Sequence, residues 1–367
     1  MSTISILSRT QDGPEIRMSV AALDEDGSEL SHGTFVYTDT AFANTTVRTM
    51  LAGGVGTPVE HRRCGHVRRI FDDMHRQAIS DGVAIALLHP FSFAYYNQFG
   101  YERVADHKMA FFPTRLLDFV PRECDFVPYA SEHLPDMLAI YARFSKGRYL
   151  LFPRFDDRHY THDRAYICYG GDTPIAYIVI ATGKEYHVNN YSRTWLVVKE
   201  LAYVSPLGLQ KALSFLRMFE GEFEEIELYD VAAYPELELR LRHYEKTRFT
   251  CMPDLQAKLL NTERLLTANT YPEKAGEFTV RVVDELPTVG GVFRVCYGGG
   301  VHTVHRLPED AAADITLPAP VLVRLIYAND PITADTVQYL PSVTVHGNVE
   351  DLFRAFPHRP IGVFEHF

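Results

Sequence analysis

Cysteine is scarce and scattered in this sequence. Cys64, Cys124, Cys168, Cys251 and Cys296 are odd in number, far apart and free of any C-x-x-C pair. Neither a disulfide framework nor a thiolate zinc cage is indicated, and no resident metal is expected. Positive charge is in deficit as well: 36 Lys and Arg face 47 Asp and Glu, a formal charge of −11. That balance speaks against sequence-independent nucleic-acid binding, which needs a basic face to displace counterions; it suits a cationic substrate better. Long apolar runs are missing, for no stretch offers roughly 18 uninterrupted apolar residues. Met1-Ser2-Thr3-Ile4-Ser5 has neither a charged n-region nor an apolar core. The expectation is a soluble chain without a membrane partner, resident in a reducing cytoplasm.

The length of 367 residues exceeds what one hydrophobic core usually serves, so two or three domains are expected. Hydrophobic residues at 46% and charged residues at 23% place the chain among globular proteins. In the first third, Ile16 to Leu23 and Gly33 to Tyr37 read as strands around the turn Asp24-Glu25-Asp26-Gly27. Val47 to Thr57 is strand-like but interrupted by Gly53-Gly54, which marks a bulge or a close backbone approach by a ligand. After Pro58, the apolar residues Val67, Ile70, Phe71, Met74 and Ala78 recur at helical spacing, and Asp81-Gly82 stops the helix. Val83 to Leu88 is a short buried strand, Ser92 to Gln98 a short helix, and Tyr101 to Val104 starts another strand.

A second α/β unit begins near Cys124, with a helix over Ser131 to Phe144 and a hairpin over Ala165 to Ala181 turned at Gly170-Gly171-Asp172. Glu200 to Val204, Pro206 and the helix Leu207 to Phe219 repeat the strand, proline, helix order of residues 47–80, so the domain reads as duplicated. Pro206-Leu207-Gly208-Leu209 carries no arginine at its turn, and anion binding is therefore expected in the first copy and not in the second. From about Leu265 a compact α+β module follows, with strands Phe278 to Val283 and Gly291 to Cys296 and helices Ala319 to Ile326 and Val349 to Phe356.

The chemistry concentrates at Arg62-Arg63-Cys64-Gly65-His66-Val67, between a strand and a helix start. Backbone N–H groups lack intrahelical partners there, and the helix dipole favours negative charge. Such a turn can hold a pyrophosphate; Gly65 admits close approach, and Arg62, Arg63, Arg68 and Arg69 add charge-assisted hydrogen bonds. Other clusters read as structure: His159 and His162 as a polar loop, Gly298-Gly299-Gly300 as a hairpin turn, and Glu220 to Glu227 as a solvated helix end and strand start.

The order of bulged strand, Arg-x-x-Gly-x-Val turn, helix, strand and Tyr95-Tyr96-Asn97-Gln98-Phe99-Gly100-Tyr101 resembles the GNAT acetyltransferase superfamily. Val67 stands where that motif prefers Gly or Ala. Pro58 with His61 to Gly65, Tyr96-x-x-Phe99-Gly100-Tyr101, the arginine-poor second copy and an aromatic end look like the Eis (enhanced intracellular survival) acetyltransferases. The resemblance implies an α/β chain of two fused GNAT-fold domains, residues 1–122 catalytic and 123–264 degenerate without a cofactor site. Residues 265–367 would then form a sterol-carrier-protein-like α+β domain. It further implies acetyl-CoA as co-substrate, held by Val55, Gly56, Thr57, Arg62, Arg63, Cys64, Gly65, His66, Val67 and Arg68, a small-molecule amine as acceptor, and a homohexamer. The stretch before Arg62 looks about thirty residues shorter than in that family, which weakens transfer of the acceptor more than of the cofactor.

By the same resemblance Tyr96 is the acid that protonates the departing thiolate, and the free carboxylate of Phe367 takes the amine proton. A backbone N–H near Val55 to Thr57 polarises the thioester carbonyl in the manner of an oxyanion hole. Tyr96 also has a purely structural alternative, as a core aromatic among Phe91, Phe93, Tyr95 and Phe99. Two other functions stay open at this level: a non-catalytic scaffold that binds an apolar ligand through the C-terminal module, and a protein lysine acetyltransferase.

Overall fold

A computed structural model describes residues 2–186, 192–241, 243–330, 332–364 and 367. In chain order the first elements are β1 (Thr3–Asp12), β2 (Glu15–Leu23), β3 (Glu29–Ala43), β4 (Thr45–Gly56), α1 (His66–Ser80), β5 (Ile85–Leu88), α2 (Phe93–Asn97) and β6 (Glu102–Pro113). Next come β7 (Phe126–Pro128), α3 (Leu134–Phe144), β8 (Arg148–Tyr149), α4 (Arg158–Thr161), β9 (Arg164–Gly170), β10 (Thr173–Tyr186), β11 (Ser192–Tyr203), α5 (Pro206–Arg217), β12 (Glu225–Leu228) and α6 (Pro235–Glu238). The last are β13 (Arg248–Leu259), α7 (Thr262–Ala268), β14 (Gly276–Val283), β15 (Gly291–Gly298), β16 (Val301–Leu307), β17 (Ile315–Pro318), α8 (Ala319–Tyr327), β18 (Thr344–Val345) and α9 (Glu350–Ala355).

Contacts divide the chain into two compact units: residues 1–106 with 253–359 and 366–367, and residues 107–252 with 360–365. In the first unit a sheet runs β1-β2-β3-β4-β5-β13, antiparallel except for the parallel pair β4–β5. The residues that pair with β5 are Gln256 to Leu259, a strand that hydrophobic patterning did not single out. A separate sheet in the same unit runs β16-β15-β14-β17-β18. Its β15–β16 hairpin turns at Gly299 and Gly300, both at positive φ (58° and 77°), so the triglycine is a turn as expected.

The second unit repeats the first in local plan. The order β6-β12-β11-β10-β9-β7 holds β11 antiparallel to β10 and parallel to β12, as β4 lies between β3 and β5. Both middle strands bulge. His32 pairs with Gly56 and Thr34 with Gly53, an extra residue in β4; Val179 pairs with Glu200 and Ile180 with Val198, an extra residue in β11. Each bulged strand leads to a helix, α1 or α5. The fold is thus α/β with a duplicated bulge-and-helix motif, as the sequence implied.

Helix α1 shows why the first copy is stable. Ile70, Phe71, Met74 and Ala78 are buried on one face, each large side chain worth roughly 1.5–3 kcal/mol by transfer. Phe71 centres an aromatic cluster, 5.7 Å from Phe35, 5.9 Å from Tyr96, 5.3 Å from Phe99 and 6.0 Å from Tyr101. Burial of His75 on this face was invisible to apolar periodicity. Its Nε2 shares a hydrogen bond of 2.9 Å with the Tyr101 hydroxyl, and burial pushes the imidazole down to about 3. The unfolded ring, with a reference value near 6.5, takes a proton below that pH while the native ring refuses it. Stability therefore falls on acidification from about pH 6.5, by roughly 3 kcal/mol at pH 4 from this group. A His75→Leu variant should show a shallower decline of Tm across that range.

Candidate active site

The ladder between β4 and β5 ends at Ala52–Leu88, and β4 continues through the bulge, where Gly54 has φ +56°. A side chain would strain that conformation, which explains the Gly53-Gly54 interruption in an otherwise strand-like run. Beyond the bulge a single turn, Val59–His61, leads into the arginines. Arg63 sits at φ +62° and Gly65 at +79°, so the chain reverses before α1 begins at His66. No side chain caps this helix, and the Arg69 N–H bonds the Gly65 carbonyl at 3.2 Å. The amides ahead of Arg69 are thereby left facing the space outside the helix start.

That space is a cavity of about 680 Å³. Val55, Gly56, Thr57, Arg62, Arg63, Gly65, His66, Val67 and Arg68 all line it, so of the ten residues singled out only Cys64 does not. Cys64 is exposed, and its Sγ lies 3.5 Å from the Arg62 carbonyl within the turn. Arg62 Nε donates to the Thr57 carbonyl at 3.2 Å, tying the turn to the strand it leaves. Arg68 donates to Gln98 Oε1 at 3.0 Å and lies 4.8 Å over the Phe99 ring. Burial first, then the nearby Arg69 and His61, pull the His66 imidazole below its ordinary range, which favours its neutral form in an already cationic wall. His61, Phe91, Tyr95, Gln98 and Phe99 complete the lining and were not assigned to it from the sequence.

Tyr96 lies in α2, whose start is capped by the Ser92 hydroxyl accepting from the Tyr95 N–H at 3.3 Å. It does not line the cavity. Its ring is buried among Phe71, Phe91, Tyr95, Phe99 and Tyr101, as the structural alternative anticipated. Among the described residues, however, no group hydrogen-bonds its hydroxyl. Burial, aided by Tyr95, pushes that hydroxyl up to about 12, so it is a proton donor at every physiological pH.

Phe367 is placed beside the bulged strand. Its carboxyl carbon and oxygen lie 2.9 Å from where a Cβ on Gly53 would project. Its ring stands 4.7 Å from the ring of His89, the residue that follows β5. His89 Nδ1 donates to Asp254 Oδ1 at 3.0 Å. This histidine and its carboxylate were missed from the sequence: 165 residues separate them, and only the pairing of β13 on β5 brings them together. Glu365 and His366 lie outside the described residues.

In the second copy a side chain meets the strand beyond the ladder. The β11–β12 ladder ends at Val198–Leu228, and the Leu201 N–H beyond it donates to the Tyr234 hydroxyl at 2.9 Å. Tyr234 is itself covered by the Phe364 ring, centroids 5.9 Å apart. Glu200, next to the bulge, is buried against Arg154 at 2.6 Å and accepts from the Tyr177 hydroxyl. Ser205 caps α5 by accepting from the Gly208 N–H at 3.1 Å, and Pro206 brings no N–H at all.

His159 lies in the short helix α4, where the sequence suggested a polar loop. Asp156 and Arg158 pair at 2.7 Å beside His159, and among the described residues no group of metal-ligating side chains is assembled. No helix among the described residues is long and apolar enough to cross a membrane.

Residues 9–104 match the family model of the acetyltransferase (GNAT) domain. The bulged strand, the arginine turn, α1 and Tyr96 all fall inside that stretch, and the chain is an acyltransferase of the kind that draws its acyl group from acyl-CoA. No curated protein matches it in sequence. Among solved structures, it is similar to Eis1 from Mycobacterium abscessus, with a TM-score of 0.79, 14% identity and 100% of each chain covered. A GCN5-related N-acetyltransferase from Anabaena variabilis matches with a TM-score of 0.79 at 16% identity, over 95% of this chain and 89% of that one. Another, from Kribbella flavida, gives 0.75 at 16% identity, over 96% and 87%. These likenesses establish the fold.

Proposed function

We propose that this protein is an Eis-like enzyme that transfers the acetyl group of acetyl-CoA to a primary amine, by direct attack on the thioester. The observation that carries the reading is the cavity at the arginine turn, bounded by the bulged strand on one side and the uncapped start of α1 on the other. Arg62, Arg63 and Arg68 would meet the phosphates together with the amides of Gly65, His66 and Val67. The strand amides near Val55 to Thr57 would polarise the thioester carbonyl. Tyr96 would protonate the leaving thiolate, and the Phe367 carboxylate would take the proton of the attacking amine. A chain of net charge −11 favours a cationic acceptor, an aminoglycoside or another polyamine. The same proposal includes the boundaries at 122/123 and 264/265, the lack of a cofactor in the second copy and the sterol-carrier-like character of residues 265–367. It also includes the hexamer and the cytoplasmic location.

The test is a screen of amines in which acetyl-CoA turnover is followed by release of free thiol. Turnover with at least one small polyamine is expected. In the Arg62→Ala/Arg63→Ala variant, acetyl-CoA should bind at least tenfold more weakly by calorimetry, because two charge-assisted phosphate contacts are lost. Absence of binding to the wild-type protein at millimolar acetyl-CoA would leave a scaffold role in its place.

A further inference from the structure

The second copy lacks arginines at its own helix turn, yet a cavity of about 530 Å³ opens beside that turn and is strongly cationic. Arg143 in the last turn of α3, Lys146 just after it, Arg148 in β8 and Arg240 beyond α6 all line it, against a single carboxylate, Glu236. These cations come from three places in the chain, none of them at the strand-to-helix turn where a sequence motif would be sought.

Glu236 is already engaged: its Oε2 accepts from the Tyr203 hydroxyl at 2.7 Å and faces Arg148 Nη2 at 3.5 Å. Arg148 is buried and fixed, with Nε on the Ala233 carbonyl at 3.1 Å and Nη1 on the Phe144 carbonyl at 2.6 Å. The side chains of Arg143, Lys146 and Arg240 have no hydrogen-bond or ion-pair partner among the described residues. In a chain of net charge −11, three cations without a side-chain partner gather around one cavity and give it a local positive field. Guanidinium groups match phosphate oxygens bidentately. Four cations set against one carboxylate leave a charge of about +3, to which a diphosphate is the natural complement. Val204 and Leu209 give part of the wall an apolar character that a bare inorganic ion would not use.

We propose that this cavity is a second ligand site, for a small molecule carrying two or more adjacent phosphates, of the nucleoside diphosphate class. The side chains supply the recognition. The start of α5 supplies little, since Ser205 occupies its Gly208 amide and Pro206 has none to offer. This site stands apart from the acyl-CoA reading and does not depend on it.

The experiment starts from an Arg62→Ser/Arg63→Ser/Arg68→Ser protein, so that the first cavity no longer contributes, and titrates it calorimetrically at low ionic strength. ADP and inorganic pyrophosphate should each bind in one-to-one ratio, ADP the more tightly, and adenosine should not bind. Adding Arg143→Ser/Lys146→Ser/Arg240→Ser should weaken ADP at least tenfold. An unchanged melting temperature without ligand shows that this second set leaves the fold intact, since the three side chains hold no partners. The ADP-induced rise in Tm should vanish with it. Binding that survives the second set of substitutions would overturn the proposal, as would the absence of saturable ADP or pyrophosphate binding in the starting protein. Acetyl-CoA turnover by the wild-type chain is read separately and reports only on the first site.

Discussion

Replacing Tyr96 with Phe should lower kcat by about 10²-fold or more, the usual worth of a positioned general acid, while acetyl-CoA binding stays within about twofold. The split between the two quantities is the diagnostic. A ring that served only as packing among Phe71, Phe99 and Tyr101 would be replaced by Phe at little cost to either one. Wild-type turnover in this variant would remove Tyr96 from the mechanism. At about 12 the hydroxyl is a weaker acid than an exposed tyrosine. A thiolate released beside the same apolar cluster would have its proton affinity raised by desolvation in the same direction. A further consequence is that kcat should show no basic fall attributable to this residue below about pH 11.

The second large effect is expected at Gly53. A methyl group there would sit 2.9 Å from the carboxyl carbon and oxygen of Phe367, closer than real Cβ contacts come. Strand and carboxyl cannot both stay in place, so Gly53→Ala should cut kcat by roughly tenfold to a hundredfold, in the range of a displaced general base. Removing Phe367 from the wild-type protein should give a loss of similar size, and adding the deletion to Gly53→Ala should cost little more. Such non-additivity is what two changes to one contact produce. Additive losses would show that Gly53 acts through the cofactor channel and not through the carboxyl.

The local part of this architecture was legible because its rules are local. Gly53-Gly54 announced the bulge, the spacing of Ile70, Phe71, Met74 and Ala78 announced α1, and the glycines at 298–300 announced a hairpin. The arginine turn could be read as an anion cradle because its amides and its charges lie within a few residues of one another. What escaped notice arrives from elsewhere in the chain. Asp254 meets His89 only through the pairing of β13 with β5, and a strand with little alternation offers no period to find. The pocket at α5 draws on residues 143–148 and 240, none of them at the strand-to-helix turn where a local motif would show. His75 carries no apolar signal, and its partner Tyr101 lies 26 residues away in sequence.

The hydroxyl of Tyr234 on the Leu201 amide bears on how a duplicated domain can be redesigned. Beyond the end of its ladder, a bulged strand exposes an N–H that has to be satisfied by something. In the second copy the Tyr234 hydroxyl satisfies it. Grafting arginines onto the α5 turn would therefore fail to recreate a cofactor groove, because the lock is at the strand and not at the helix. An engineer would have to take out Tyr234 first, and would then inherit an amide in search of a partner, along with a Phe364 ring that has lost the surface it covers.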